Sequence, residues 1–274
     1  MDIITIAKKE IKLGFRNPWS YTFLVTFSLF SLALLVINAD SQIGIGKYTS
    51  MTGTMMNLLL YFLPLMTLLL GSFSVTSEKE DGNWQLLLSY PLSSSNWLLG
   101  KYIGIYIVII AIVAFGFGVA GLIGILFGSG LPSSVGLFLL VFSLLLTFVF
   151  LALALFIGTL SKNRWQALTV SVSIWIFFVL AWPIIMISTL GSLNYKTLKS
   201  TIEVVTLLNP AEFTRIFMIT KLGGGSIFGP EYIHWVGWAS SPFGTIYFVI
   251  LCIVWVYFFM LTATYLTERG RKRG

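Results

Sequence analysis

Six stretches of this chain, residues 19–38, 55–75, 102–127, 136–160, 166–190 and 243–267, contain no Asp, Glu, Lys, Arg or His. A helix needs about 20 apolar residues to cross a hydrocarbon core of ~30 Å, and each of the six is long enough. A charged residue near the bilayer centre costs about 2.5–3.5 kcal/mol on insertion scales, so uncharged runs of this length read as membrane spans. Composition agrees. The chain has 274 residues, 57% of them hydrophobic and only 10% charged, whereas soluble domains carry about a quarter charged residues. One soluble core could not hide that much apolar surface. No signal-peptide cleavage site follows the first apolar run. Pro64 and Pro183 lie inside spans and are expected to kink them.

The net charge of +7 and the pI near 9.5 raise the question of nucleic acid, and the distribution of the charges answers it. With the N-terminus inside, twelve of the 17 Lys and Arg residues fall in cytoplasmic segments: Lys8, Lys9, Lys12, Arg16, Lys79, Lys101, Lys162, Arg164, Arg269, Arg271, Lys272 and Arg273. The other five are Lys47, Lys196, Lys199, Arg215 and Lys221, four of them in one long outer loop. The excess is a topology signal, with both termini cytoplasmic, and needs no nucleic acid partner. The expected location is the cytoplasmic (inner) membrane.

Before the first span, Ile4, Ala7, Ile11 and Phe15 share one helical face, and Lys9, Lys12 and Arg16 another. That spacing predicts an amphipathic helix over 1–18 lying in the membrane interface beside lipid head groups. Asn17-Pro18 then turns the chain into the bilayer. In the third span Gly118, Gly121, Gly124 and Gly128 fall close to one face. Small residues at this spacing let helices approach closely, within the subunit as the first expectation and across a dimer as the second.

Catalytic constellations are absent. The single His234 stands near Glu231 without a cysteine, and the single Cys252 lies in an apolar run, so neither a disulfide nor a cysteine-built metal site is expected. Met51, Met55, Met56 and Met66 offer thioethers that suit Cu(I), but packing is the commoner use of Met in a helix. No metal, cofactor or enzymatic activity is expected, and no G-x-x-x-x-G-K-[ST] loop is present.

The cytoplasmic stretch 77–101, SEKEDGNWQLLLSYPLSSSNWLLGK, carries the most information. It opens with Glu78, Glu80 and Asp81. A short helix follows in which Trp84, Leu87 and Leu88, at i, i+3 and i+4, make an apolar patch that another protein or the membrane must cover. Ser93 to Asn96 offer N-caps for the next span. Glu78 and Glu80 are candidates to pair with Arg16 or Arg164 where the cytoplasmic ends converge, against the alternative of a solvated acidic turn.

E-K-E-D-G-N-W-Q-L-L-L-S-Y-P-L with the downstream L-L-G-K resembles the first cytoplasmic loop of ABC-2-type permeases. The N-terminal K-K-E-I-K-L-G-F-R-N-P resembles that family's elbow helix, and T-L-S-K-N-R-W-Q-A-L its turn between the fourth and fifth spans. The likeness covers nearly the whole chain. It implies an all-α polytopic permease domain over 1–274, of the type V architecture: elbow helix, six spans, a coupling helix in 77–101 and an outer re-entrant helix before the last span. It also implies two copies of a separate ATPase subunit docked on Glu78, Glu80, Asp81, Trp84, Leu87 and Leu88, and a second permease copy. The L-L-L-S-Y-P-L-S run and L-N-P-A-E-F-T-R-I resemble in particular the family's permeases that serve nitrous oxide reductase maturation. That would imply copper-site assembly, through a sulfur or copper species, and an extracytoplasmic accessory protein. An exporter of a lipid, peptide or drug is the alternative within the family; a membrane anchor or membrane enzyme is the alternative outside it.

The outer loop 191–242 is too long to be a mere connection. Asn209 supplies an N-cap, Pro210 the first helical position and Glu212 the third, a helix start. Phe213 and Phe217 make the helix apolar, and Trp235 and Trp238 are expected in the head-group belt. A lid and a docking surface for an extracytoplasmic partner are both open readings of this loop.

Overall fold

A computed structural model of the chain describes residues 2–37, 44–45, 48–82, 93–126, 133–192 and 195–271. The expected all-α architecture is observed, apart from one pair of two-residue strands. Helix α1 (Ile3–Gly14) is followed by α2 (Pro18–Ile37), then by β1 (Gly44–Ile45) and β2 (Tyr48–Thr49). The strands pair antiparallel, Gly44 with Thr49 and Ile45 with Tyr48. Three long helices come next: α3 (Ser50–Glu80), α4 (Ser94–Leu126) and α5 (Ser133–Leu160). The fifth predicted span is built from α6 (Arg164–Trp175), a π-helical turn (Ile176–Ala181) and α7 (Trp182–Ser192). Then come α8 (Tyr195–Leu208), α9 (Pro210–Lys221), two 3₁₀ turns, α10 (Ile233–Ser240) and α11 (Pro242–Arg271).

Five helical stretches are long and apolar enough to cross a membrane: Ser50–Glu80, Ser94–Leu126, Ser134–Leu160, Arg164–Ser188 and Pro242–Arg271. The first predicted span, 19–38, corresponds to α2, which is also apolar but shorter over its described stretch, Pro18–Leu34. The two prolines behave differently. Pro64 sits inside the unbroken α3. Pro183 stands two residues after the last residue of the π-helical turn, whose wider bonding accommodates the missing N–H.

The core centres on α3 and α5. Leu59, Leu63, Met66 and Leu68 of α3 meet Phe142, Phe150, Leu151 and Ala154 of α5, all essentially inaccessible. Their backbones come close because small residues line the seam: a Cβ on Gly71 would lie 2.6 Å from the Ala154 methyl, and one on Gly158 2.9 Å from the Ser72 carbonyl oxygen. Met55, Met56 and Met66 are buried in this apolar core, the packing role that methionine commonly has in helices.

Helix α1 lies along the start of α4. A Cβ on Gly104 would stand 2.6 Å from the Glu10 Cβ and 2.7 Å from the Ala7 carbonyl oxygen, and one on Gly100 would meet Ile6 at 2.6 Å. Ile6, Ala7 and Glu10 face the bundle while Ile4, Leu13 and Phe15 stay exposed, so some of the apolar side chains at this end of the chain are left uncovered by the described residues. The glycine stripe of α4 is a correction. A Cβ on Gly118 or Gly121 would meet nothing within 4 Å among the described residues, so neither packs against another described helix of this subunit. Gly124 is buried, and Gly128 lies outside the described residues. The close contacts of α4 are made instead by Gly100, Gly104 and Gly116, the last beneath Phe27 of α2.

Candidate functional site

Helix α3 outlasts the apolar run that predicts it and carries Glu78, Lys79 and Glu80 to one end of the bundle. There, the side chains of four segments interlock. Lys101 of α4 is fully buried, and its ammonium donates to Glu10 of α1 at 2.7 Å and to the Ser74 carbonyl and hydroxyl of α3 at 3.1 and 3.0 Å. Glu78 Oε1 lies 3.2 Å from Lys101 and accepts from Lys9 of α1 at 2.8 Å. The Ser74 hydroxyl donates to the second Glu10 oxygen at 2.9 Å. Burial alone would lower the Lys9 pKa, but the hydrogen bond to Glu78 and the charges of Glu78 and Glu10 outweigh it and raise it above its ordinary value. A buried carboxylate is tolerable only when paired and hydrogen-bonded, and two lysines serve two carboxylates here. Glu78 Oε2 has no hydrogen-bond partner among the described residues. A cavity of about 440 Å³, lined in part by Glu78, Glu10, Asn17 and Arg164, opens beside this cluster.

Two further contacts tie α3 to the turn after α5. The Lys79 ammonium donates to the carbonyls of Gly158, Thr159 and Ser161 at 2.9, 2.7 and 2.8 Å, capping the α5 C-terminus, where unsatisfied carbonyls gather. Glu80 accepts from the Arg164 backbone N–H at 2.7 Å and from its Nε at 2.8 Å, placing a carboxylate at the α6 N-terminus. Arg164 also reaches Asp81 at 3.8 Å. The expected Glu80–Arg164 pair therefore forms. Glu78 departs from expectation, pairing with Lys9 and Lys101 rather than with Arg16 or Arg164. Trp84, Leu87 and Leu88 lie outside the described residues. Before that stretch α3 ends at Glu80 with Asp81 as its C-cap, and after it the Ser93 hydroxyl accepts from the Asn96 N–H at 3.3 Å.

At the opposite end of the bundle, α9 begins as its sequence predicts. Asn209 Oδ1 accepts from the N–H groups of Ala211 and Glu212 at 2.9 and 3.3 Å. Asn209 Nδ2 donates to the Phe178 carbonyl at 2.7 Å. Five residues after Phe178, the spacing of a π-helical bond, stands Pro183, which has no N–H to give. The cap of one helix thus satisfies a carbonyl that a proline leaves open in another. Glu212 pairs with Arg215 one turn on. Burial would lower the Arg215 pKa, and the Glu212 charge raises it instead. Burial and the Glu212 charge push the nearby Tyr232 hydroxyl up to about 12, against the opposing pull of Arg215.

Phe213 and Phe217 stack on Phe248 of α11, with centroids 5.0 and 3.8 Å apart. Trp235 packs edge-on against Phe213 at 5.7 Å and is 5% exposed, so most of its ring is covered within the subunit. Asn209, Pro210, Glu212, Phe213 and Phe217 are buried as well. They brace this end of the bundle and present no surface to a partner; of the residues expected to do so, only Trp238 is partly open. Among the described residues no cluster of three His, Cys, Asp or Glu side chains forms that could hold a metal ion.

The family described as "ABC-2 family transporter protein" matches residues 4–269. Two relatives share 29% identity with the chain. One, "Probable ABC transporter permease protein NosY" of Stutzerimonas stutzeri, aligns over 232 residues, 82% of this chain and 84% of its own length. The other carries the same name in Pseudomonas aeruginosa and aligns over 222 residues, 79% of this chain and 81% of its own.

Proposed function

Because this chain belongs to the ABC-2 transporter family, as a multi-pass membrane subunit served by a separate ATPase, we propose that the segment between Gly82 and Ser93 is its coupling element. The observation that carries this reading is the ionic cluster. It binds the helix entering that segment (α3) and the helix leaving it (α4) to the elbow helix and to the α5–α6 turn. A push on the segment is thereby delivered to four helices at once instead of bending one loop. In this reading both termini and the cluster are cytoplasmic, α2 is the sixth span, and two copies of the chain work with two ATPase copies. The finer role rests on the likeness to the NosY permeases: assembly of the nitrous oxide reductase copper site, by moving a sulfur or copper species with an extracytoplasmic accessory protein docked on exposed residues of 222–241.

The test is co-purification. Trp84→Ala removes a large aromatic from the expected docking patch and should cost about 2 kcal/mol or more of ATPase binding, roughly 30-fold, while membrane insertion stays normal. Unchanged ATPase association and unchanged transport would place Trp84 against lipid and overturn the coupling assignment.

A further inference from the structure

At the end of the bundle away from the ionic cluster, α8, α10 and α11 enclose a cavity of about 370 Å³. Three aromatic residues form its walls: Trp235, Trp238 and Tyr247. The two indoles stand edge to face with centroids 4.9 Å apart, and the Trp235 ring is fixed from behind by Phe213. Glu203 and His234 supply the polar lining, and Leu207 and Leu251 the apolar part. Among the described residues that line the cavity there is no Lys or Arg. No salt bridge to Glu203 is found among the described residues.

Among the described lining residues an anionic ligand finds no counter-charge. A cation has two kinds of attraction, the Glu203 carboxylate and the negative faces of indole and phenol rings. The cavity also has a direction. Leu251 lies one turn further into α11 than Tyr247, about 6 Å deeper, and Val254 continues the same stripe at i+7. Tyr247 and Val254 are both exposed. The polar groups are thus at the interfacial end of the span, and the apolar stripe leads from them along its membrane-facing surface. A charged amine with a hydrocarbon tail fits this gradient, and a free soluble amine would leave the stripe uncovered.

We propose that this cavity binds the ammonium head group of a membrane lipid, with Glu203 and the rings of Trp235, Trp238 and Tyr247 holding the ammonium and the Tyr247–Leu251–Val254 stripe carrying the acyl chain. This site is independent of what the transporter moves and of how its ATPase docks.

Native mass spectrometry of the intact permease–ATPase complex, delipidated and titrated with phosphatidylethanolamine or phosphatidylglycerol, tests it. The wild-type complex should retain the ethanolamine lipid in preference to the glycerol lipid. Glu203→Gln and Trp238→Leu, which act through different contacts, should each weaken ethanolamine-lipid binding about tenfold and leave glycerol-lipid binding as it was. Asp2→Asn, at the far end of the chain, should change neither. Undiminished ethanolamine-lipid retention in both cavity variants would overturn the proposal, and so would equal wild-type retention of the two lipids. Displacement by soluble glycerophosphoethanolamine as effectively as by the lipid would show that the acyl stripe contributes nothing and would overturn the lipid assignment.

Discussion

Removing the Lys101 ammonium is the most discriminating perturbation of the ionic cluster. Lys101→Met keeps the length and the apolar stem of the side chain and deletes only the charge. Its two carboxylate partners are not equally exposed to the loss. Glu78 keeps Lys9 at 2.8 Å, whereas Glu10, 4% exposed, keeps the Ser74 hydroxyl at 2.9 Å as its hydrogen-bond donor among the described residues and feels the Lys9 charge without a direct bond. Breaking a buried ion pair from one side costs about 3–5 kcal/mol, because the remaining charge is left uncompensated. At about 2–4 °C per kcal/mol for a chain of this size, the melting temperature should fall by on the order of 10 °C. Adding Glu10→Gln neutralises the orphaned carboxylate and should restore roughly half of the loss or more, since replacing both members of a buried pair is often near neutral. The assay is the thermal unfolding of the purified protein in one detergent at one scan rate, because unfolding of such proteins is commonly irreversible. A Lys101→Met variant melting within about 2 °C of wild type, or a double variant less stable than the single one, would refute the view that the members of this buried cluster depend on one another.

Asn209 makes two separable contributions. Asn209→Ala loses both the α9 cap and the donor to the Phe178 carbonyl, and should cost about 2–4 kcal/mol in the same melt. Asn209→Asp keeps the cap but sets a carboxylate against that carbonyl; equal stability of Asp and wild type would show that the Nδ2 contact is idle. For topology, single cysteines at Ser41 and Ser129 in a Cys252→Ser background should label from outside intact cells. Cysteines at Asn83 and Asn163 should label only after permeabilisation, and the reverse pattern would invert the orientation and remove the coupling assignment.

The spans are legible in the sequence because lipid imposes one severe rule on every position, and a run of 20 residues without charge can hardly satisfy it by accident. The start of α9 is legible for a local reason: Asn209, Pro210 and Glu212 act on backbone groups two and three residues away. The ionic cluster was not legible, since its pairs join residues 91 and 69 positions apart. Lys101 read only as a topology charge, and Glu78 as the first acid of a loop. A signal was available: both stand within a turn or two of uncharged spans, where a charge needs a partner more than a solvated loop residue does. The glycines of α4 are a different case. Spacing alone places Gly118 and Gly121 on a close-packing face, but which face of a helix meets a neighbour depends on how the whole bundle is rotated. The cover over Trp235 was hidden for the same reason, because its neighbour Phe213 is set by tertiary packing.

The Lys79 clasp has a mechanical consequence. Three carbonyls at the end of α5 share one ammonium from α3, and further along the same pair Gly71 and Gly158 leave the two backbones almost touching. Sliding one helix past the other would strip the clasp and drive Val75 into the Gly158 backbone. Tilting the two together disturbs neither contact. α3 and α5 therefore form a single stiff strut through the middle of the subunit, and a load applied at the Asp81 end arrives at the Thr49 end as a change of angle, with little lost to shear on the way.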